Sequence, residues 1–147
     1  MHIMDRTPKI LTIIGLVFEG FSVVILGVFA LLFRNYQELP FMDEATAEMT
    51  GSELKDFIWI MDFTINAMTV MFVIIGVFFI VNIFLFSKLM SGKYKEEVAK
   101  KVYLYQAIWG GFNLISNQIT GILYLISGVS GYNGYKEMTK KDIREGI

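Results

Sequence analysis

Long apolar runs separated by shorter polar segments dominate the pattern along this chain. The first run, Ile10 to Phe33, contains one charged residue, and a second run covers residues 66–87. At 1.5 Å per residue the first run extends about 36 Å as a helix, which is enough to cross the ~30 Å hydrocarbon core of a bilayer. The pattern therefore predicts membrane-spanning helices at residues 10–33 and 66–87.

The last apolar block, Val102 to Tyr132, has two interpretations. It is long for one crossing and short for two, and its centre is polar. Small and polar residues recur at helical spacing through the whole block, which favours one long third helix. They are Gln106, Gly110, Asn113, Asn117, Gly121, Tyr124, Gly128 and Gly131. A break near Ser116 to Gln118 would instead give two short helices at residues 102–115 and 118–132.

The distribution of charge favours the hairpin. Residues 34–62 are acidic, whereas the connector 88–101 and the tail 135–147 are basic. Basic segments beside membrane spans prefer the cytoplasm, and only an even number of spans leaves both termini inside. We therefore expect one all-α membrane domain, residues 1–147, forming an integral membrane four-helix bundle whose last two helices are short. We expect the acidic loop on the outer side of the membrane and Ser52 as the N-cap of the second helix.

Composition narrows the function mainly by exclusion. The chain is 54% hydrophobic and 18% charged, with a net charge of −1 and no cysteine. Thiol chemistry is thus excluded, and we expect no nucleic-acid partner, no cofactor, no metal site and no catalytic site. His2, the only histidine, is expected to be a bystander at a mobile terminus. No small-residue cleavage site follows the first run, so we expect a retained span and not a secretory signal.

Glu19 is the most informative residue because a carboxyl in the middle of a span is costly to insert. It shares a helix stripe with Gly15, Ser22 and Ala30, which predicts that it points inward. In one interpretation it is a structural carboxyl that forms hydrogen bonds with Gln106, Asn113 or Asn82. In the other it exchanges protons or cations during transport; small multidrug exporters with four helices also carry a glutamate in their first span.

Amides and glycines complete the candidate sites. With Glu19, the candidate intramembrane polar site comprises Asn82, Gln106, Asn113 and Asn117. Amides inside membrane spans most often bridge helices or cap them. Glycines at helical spacing allow close approach of neighbouring helices, and the expected packing positions are Gly15, Gly110, Gly121 and Gly128.

Several short segments also resemble a known family. They are Arg6 to Lys9, Ile13 to Gly15, the pair Gly110 and Gly111, and the run Gly121 to Gly128. Together with a variable outer loop and a second span that ends in lysines, they resemble a small prokaryotic family catalogued as domain of unknown function 4064. The resemblance implies four helices in a prokaryotic plasma membrane and no assigned activity.

These observations favour a non-enzymatic, multi-pass membrane protein with an accessory, regulatory or structural role. Its expected partners are the lipid bilayer and, through helix–helix association, a second copy of the chain or another membrane protein. The alternative is a small proton- or cation-coupled transporter or channel that uses Glu19. A water-accessible Glu19 would favour transport, and a dry, fully hydrogen-bonded Glu19 would favour packing.

Overall fold

A computed structural model describes residues 2–144 and Gly146, without the side chains of 135–140, 142 and 143. Within these residues the protein is all-α, as predicted, and contains no strand. The α-helices are α1 (Arg6–Phe33), α2 (Pro40–Thr46), α3 (Gly51–Met90), α4 (Glu96–Ser116) and α5 (Gln118–Arg144). A short 3₁₀ helix, Tyr36–Glu38, precedes α2.

The helix that contains the second predicted span is much longer than the span itself. α3 has 40 residues, or about 60 Å, and begins at Gly51, inside the predicted acidic loop 34–62. Its start is fixed by a capping box: the Glu53 backbone N–H donates to the Thr50 hydroxyl (3.3 Å), and the Thr50 N–H donates to the Glu53 carboxylate (3.0 Å). The prediction that Ser52 is the N-cap is wrong, because Thr50 occupies that position and Ser52 lies in the first turn of α3.

The rest of the predicted acidic loop is also folded. Tyr36 and Met42 are buried against Ile65 of α3. The Tyr36 hydroxyl donates to the Asp62 carboxylate at 3.1 Å. Residues 34–62 are therefore not a simple solvated loop, because Tyr36 and Met42 have a helix to pack against.

The last apolar block is broken at Asn117, the centre of the predicted break. α4 ends at Ser116, α5 begins at Gln118, and the two helices pack against each other. Both are longer than predicted, with 21 and 27 residues. The basic connector 88–101 contributes the first turns of α4, since Glu96, Glu97 and Ala99 favour helix. The predicted tail 135–147 continues α5 through Arg144, while Glu145 and Ile147 lie outside the described residues.

The described residues divide into two compact units. One contains those up to Phe21 and those from Phe79 onward; the other is Ser22–Phe78. The core of the first includes Phe86, Leu89, Tyr103 and Tyr124, and also Met4. The core of the second contains Tyr36, Met42 and Ile65.

Two helices, α1 and α3, are long and apolar enough to span a membrane within the part of the chain that the structure describes. Only 17% of the most apolar window of α1 and 11% of that of α3 is buried. The core helix of a water-soluble domain would bury most of such a window. The tyrosines, amides and glycines of α4 and α5 make these two helices less apolar than α1 and α3.

Candidate functional site

Glu19 lies on the buried stripe of α1, as its spacing predicted. Thr12, Gly15 and Ala30 are also buried, and Ser22 is half-buried. Glu19 itself is 1% exposed. The stripe forms because residues 12, 15 and 19 are three and four positions apart and return to one face of the helix.

Three donors from three other helices converge on the Glu19 carboxyl. The Asn82 side-chain amide of α3 donates to Oε1 at 2.7 Å, and the Trp109 indole N–H of α4 donates to the same oxygen at 3.3 Å. The Tyr124 hydroxyl of α5 donates to Oε2 at 2.5 Å. Both carboxyl oxygens therefore accept hydrogen bonds, and one side chain connects α1 with α3, α4 and α5.

A second tyrosine, Tyr105, extends the hydrogen-bonded group around Glu19. The Tyr105 hydroxyl donates to the Asn82 side-chain oxygen at 2.5 Å, so both ends of that amide are bonded. The Phe86 ring packs against the rings of Tyr105 and Tyr124, with centroid distances of 6.2 and 5.1 Å. We call Glu19, Asn82, Tyr105, Trp109 and Tyr124 the carboxyl cluster.

Gln106 was one of three alternative partners predicted for Glu19, and the structure pairs Glu19 with another of them, Asn82. The Gln106 side-chain amide donates to the Thr12 hydroxyl at 2.7 Å. The Ser127 hydroxyl lies 2.9 Å from the Pro8 carbonyl and 3.2 Å from the Gln106 side-chain oxygen, and either oxygen can accept its proton. Thr12 and Ser127 are 2.9 Å apart. Gln106 thus belongs to a second buried polar group, which lies about two helical turns before Glu19 along α1.

The other predicted amides also bond away from Glu19. The Asn113 amide donates to the Trp109 carbonyl of its own helix at 2.8 Å. Asn117 accepts from the Thr120 backbone N–H at 3.3 Å, and its amide lies 3.5 Å from the Phe18 carbonyl. Because α5 begins at Gln118, Asn117 is the N-cap of α5. Of the predicted polar set, only Asn82 contacts the carboxyl.

The predicted packing glycines all lie at close helix contacts. A Cβ at Gly15 would meet the Tyr124 ring at 2.5 Å. Cβ atoms at Gly110, Gly121 and Gly128 would each lie 2.6 Å from a backbone nitrogen of the opposite helix of the α4–α5 pair. No real Cβ tolerates that distance, so these three positions allow the two backbones to touch.

Three members of the carboxyl cluster, Tyr105, Trp109 and Tyr124, were not assigned to the site from the sequence. Tyr124 shared the small and polar stripe of the last block, which was a usable signal. Trp109 lies one turn before Asn113 and so shares its face, but an indole in an apolar run is ordinarily core material. Tyr105 carried no signal, because its role depends on the placement of Asn82 on another helix.

The N-terminus was expected to be mobile, but the structure packs His2 against α4 and the turn before it. That His2 is a bystander and not a ligand or base stays a prediction. The His2 ring nitrogen Nε2 lies 2.8 Å from the Tyr103 hydroxyl, and its backbone N–H donates to the Tyr94 carbonyl at 2.9 Å. Two residues later, Met4 is buried in the core. The N-terminal segment is therefore anchored to the turn between α3 and α4 and to α4.

Comparisons with known proteins add no family or function. The chain matches no family model, no curated protein and no solved structure. The resemblance to domain of unknown function 4064 stays a prediction. Within the described residues, no group of three or more histidine, aspartate or glutamate side chains is placed to hold a metal ion.

Proposed function

We propose that this protein is a small, multi-pass integral membrane protein of a prokaryotic plasma membrane, with a non-catalytic accessory or structural role. In this proposal α1, α3, α4 and α5 cross the bilayer. Both termini and the connector face the cytoplasm. The exposure of the apolar windows of α1 and α3 supports a membrane location, because lipid can cover surfaces that would be strongly unfavourable in water.

The single observation that supports a structural role over transport is the environment of Glu19. A coupling carboxyl must exchange a proton or cation with water during its cycle, and so needs access to a wet path. Glu19 is 1% exposed, and its two oxygens accept three hydrogen bonds from three helices. Such a carboxyl holds helices in register.

This role fits the physics of helix association in lipid. Apolar surface gives little driving force between helices there, so close packing and interhelical hydrogen bonds determine the arrangement. The carboxyl cluster supplies the hydrogen bonds, and Gly110, Gly121 and Gly128 supply the close packing. The outward apolar faces of α1 and α3 are then available for lipid or for another membrane protein.

Proteoliposomes test the proposal directly. We expect wild-type protein, loaded with a pH-sensitive dye inside the vesicles, to pass protons no faster than empty vesicles under an imposed pH gradient or membrane potential. Glu19→Gln should behave identically and unfold at nearly the same temperature. A wild-type flux that Glu19→Gln abolishes while the protein remains folded would replace this proposal with coupled transport.

A further inference from the structure

A groove between α4 and α5 is lined by none of the residues of the carboxyl cluster. It has a volume of about 390 Å³ and is lined by Glu97, Lys100, Lys101 and Leu104 of α4 and by Tyr132 of α5. Two lysines against one glutamate give the lining a formal charge of +1. The groove lies where the basic start of α4 gives way to its apolar part.

The groove presents several hydrogen-bond donors beside one another. The Lys100 ammonium lies 5.4 Å from the centre of the Tyr132 ring, within the range of a cation–π contact. Lys101 follows it and is exposed, and Tyr132 is half-buried. Two ammonium groups and a phenol hydroxyl are suited to an anion with several acceptor oxygens, above all a phosphate.

An apolar strip leads away from the groove along α4. Leu104, Ile108, Phe112 and Ile115 recur at helical spacing and are 49%, 53%, 65% and 88% exposed. The twelve residues from Leu104 to Ile115 rise about 16 Å, close to the ~15 Å half-thickness of a bilayer core. A soluble phosphorylated ligand would leave this strip uncovered, whereas the acyl chain of a lipid has the right length to cover it.

We propose that this groove binds the headgroup of an anionic phospholipid, with the phosphate at Lys100 and Lys101 and an acyl chain along the Leu104 to Ile115 strip. The inference rests on the proposed membrane location. Basic pockets between membrane helices on the cytoplasmic side are suited to anionic headgroups. The groove therefore gives this protein a specific lipid ligand in the inner leaflet, in addition to a general preference for negative membranes.

The test is a lipid-binding titration on the full chain purified in a neutral detergent. Dioleoyl phosphatidylglycerol and dioleoyl phosphatidylcholine are added as mixed micelles, and bound lipid is counted by native mass spectrometry. We expect phosphatidylglycerol to bind more tightly. The double variant Lys100→Gln/Lys101→Gln should lose about 25-fold in affinity, from about fivefold for each lysine beside an anionic lipid. Tyr132→Leu, which leaves both lysines, should lose about two- to fivefold.

The matched control is Lys93→Gln/Lys95→Gln, which removes the same charge from exposed positions of the connector outside the groove. We expect it to change affinity less than threefold. Equal losses in the two double variants would overturn the proposal, as would equal binding of the two lipids. Displacement of the lipid by equimolar glycerol phosphate would also overturn it, because the site would then recognise phosphate alone.

Failure of the lipid site and failure of the membrane location give different results. A chain that stays soluble and monomeric after detergent removal contradicts the membrane location itself. If the chain requires detergent but the Lys100 and Lys101 variant binds phosphatidylglycerol as tightly as wild type, only the lipid site is wrong. Circular dichroism of each variant checks that the helices are intact.

Discussion

Replacing Glu19 separates hydrogen bonding from apolar packing in the carboxyl cluster. Glu19→Gln keeps the size of the side chain and retains Oε1 as the acceptor for Asn82 and Trp109. The new amide can donate to Tyr124, whose hydroxyl rotates to accept. We therefore expect Gln to cost less than about 1 kcal/mol of unfolding free energy, since all three contacts can be maintained.

Glu19→Leu removes the acceptor altogether. Three donors then lose their acceptor: the Asn82 amide, the Trp109 indole and the Tyr124 hydroxyl. Water cannot easily replace it, because the Glu19 side chain that they surround is only 1% exposed. Counting only the two shorter bonds, those of Asn82 and Tyr124, at about 1 to 3 kcal/mol for each buried donor left unsatisfied, the loss is about 2 to 6 kcal/mol. Leu gains apolar character but cannot offset that loss, because its methyl groups face polar atoms.

Unfolding by sodium dodecyl sulfate in mixed micelles, followed by circular dichroism, measures both variants against wild type. The expected order is wild type, Gln and then Leu, with the larger step between Gln and Leu. Phe21→Leu is a suitable control, since Phe21 is on the same helix and 61% exposed. If Leu were as stable as Gln, the carboxyl cluster would contribute nothing to stability and its role in holding the helices would be refuted.

Four further predictions test other parts of the molecule. Gly128→Leu should cost at least about 1 to 3 kcal/mol in the same assay because it overpacks the α4–α5 contact, whereas Ile126→Phe, 48% exposed, should cost under about 0.5. Thr120→Val should be neutral or stabilising, since the Thr120 hydroxyl is buried without a hydrogen-bond partner among the described residues. Tyr36→Phe should cost about 0.5 to 1.5 kcal/mol and speed proteolysis of the 34–62 segment, because the bond to Asp62 is lost. Lys141→Cys should resist membrane-impermeant thiol reagents in intact cells if the C-terminus is cytoplasmic; labelling there would contradict an even number of spans.

Helical periodicity predicted faces well because a face is a property of one helix. The inward position of Glu19, the burial of Gly15 and the close contacts at Gly121 and Gly128 all follow from spacings of three and four residues. The break at Asn117 was visible for a similar reason, since a run of amides interrupts the apolar pattern.

Partners were harder to predict because they depend on the register between two helices. Gln106 and Trp109 are one turn apart on α4, yet Gln106 bonds to Thr12 and Trp109 to Glu19. No pattern within α4 distinguishes these two depths. The length of the Trp109 side chain was a second obstacle to prediction. Its indole N–H reaches the Glu19 carboxyl, although a tryptophan in an apolar run is ordinarily a core residue.

The folded 34–62 segment was missed for a different reason. Its buried residues Tyr36 and Met42, and Ile65 of α3 against which they pack, are too widely separated in the sequence to produce a periodic signal. The capping box at Thr50 and Glu53 was readable as threonine followed three residues later by glutamate. Giving that pattern precedence over Ser52 would have placed the start of α3 correctly.

The glycine contacts and the polar clusters restrict the helices in complementary ways. Gly110, Gly121 and Gly128 set how closely α4 and α5 approach, but a smooth glycine surface permits sliding along the helix axis. Sliding α5 by one turn would displace its side chains by about 5 Å along the helix axis. The hydrogen bonds from Tyr124 to Glu19 and from Ser127 to the Pro8 carbonyl would both break. Two polar groups at different depths therefore fix the register that close packing alone leaves open. Burying a carboxyl is costly, and the role we propose for Glu19 is to make one arrangement of α1, α3, α4 and α5 more stable than its shifted alternatives.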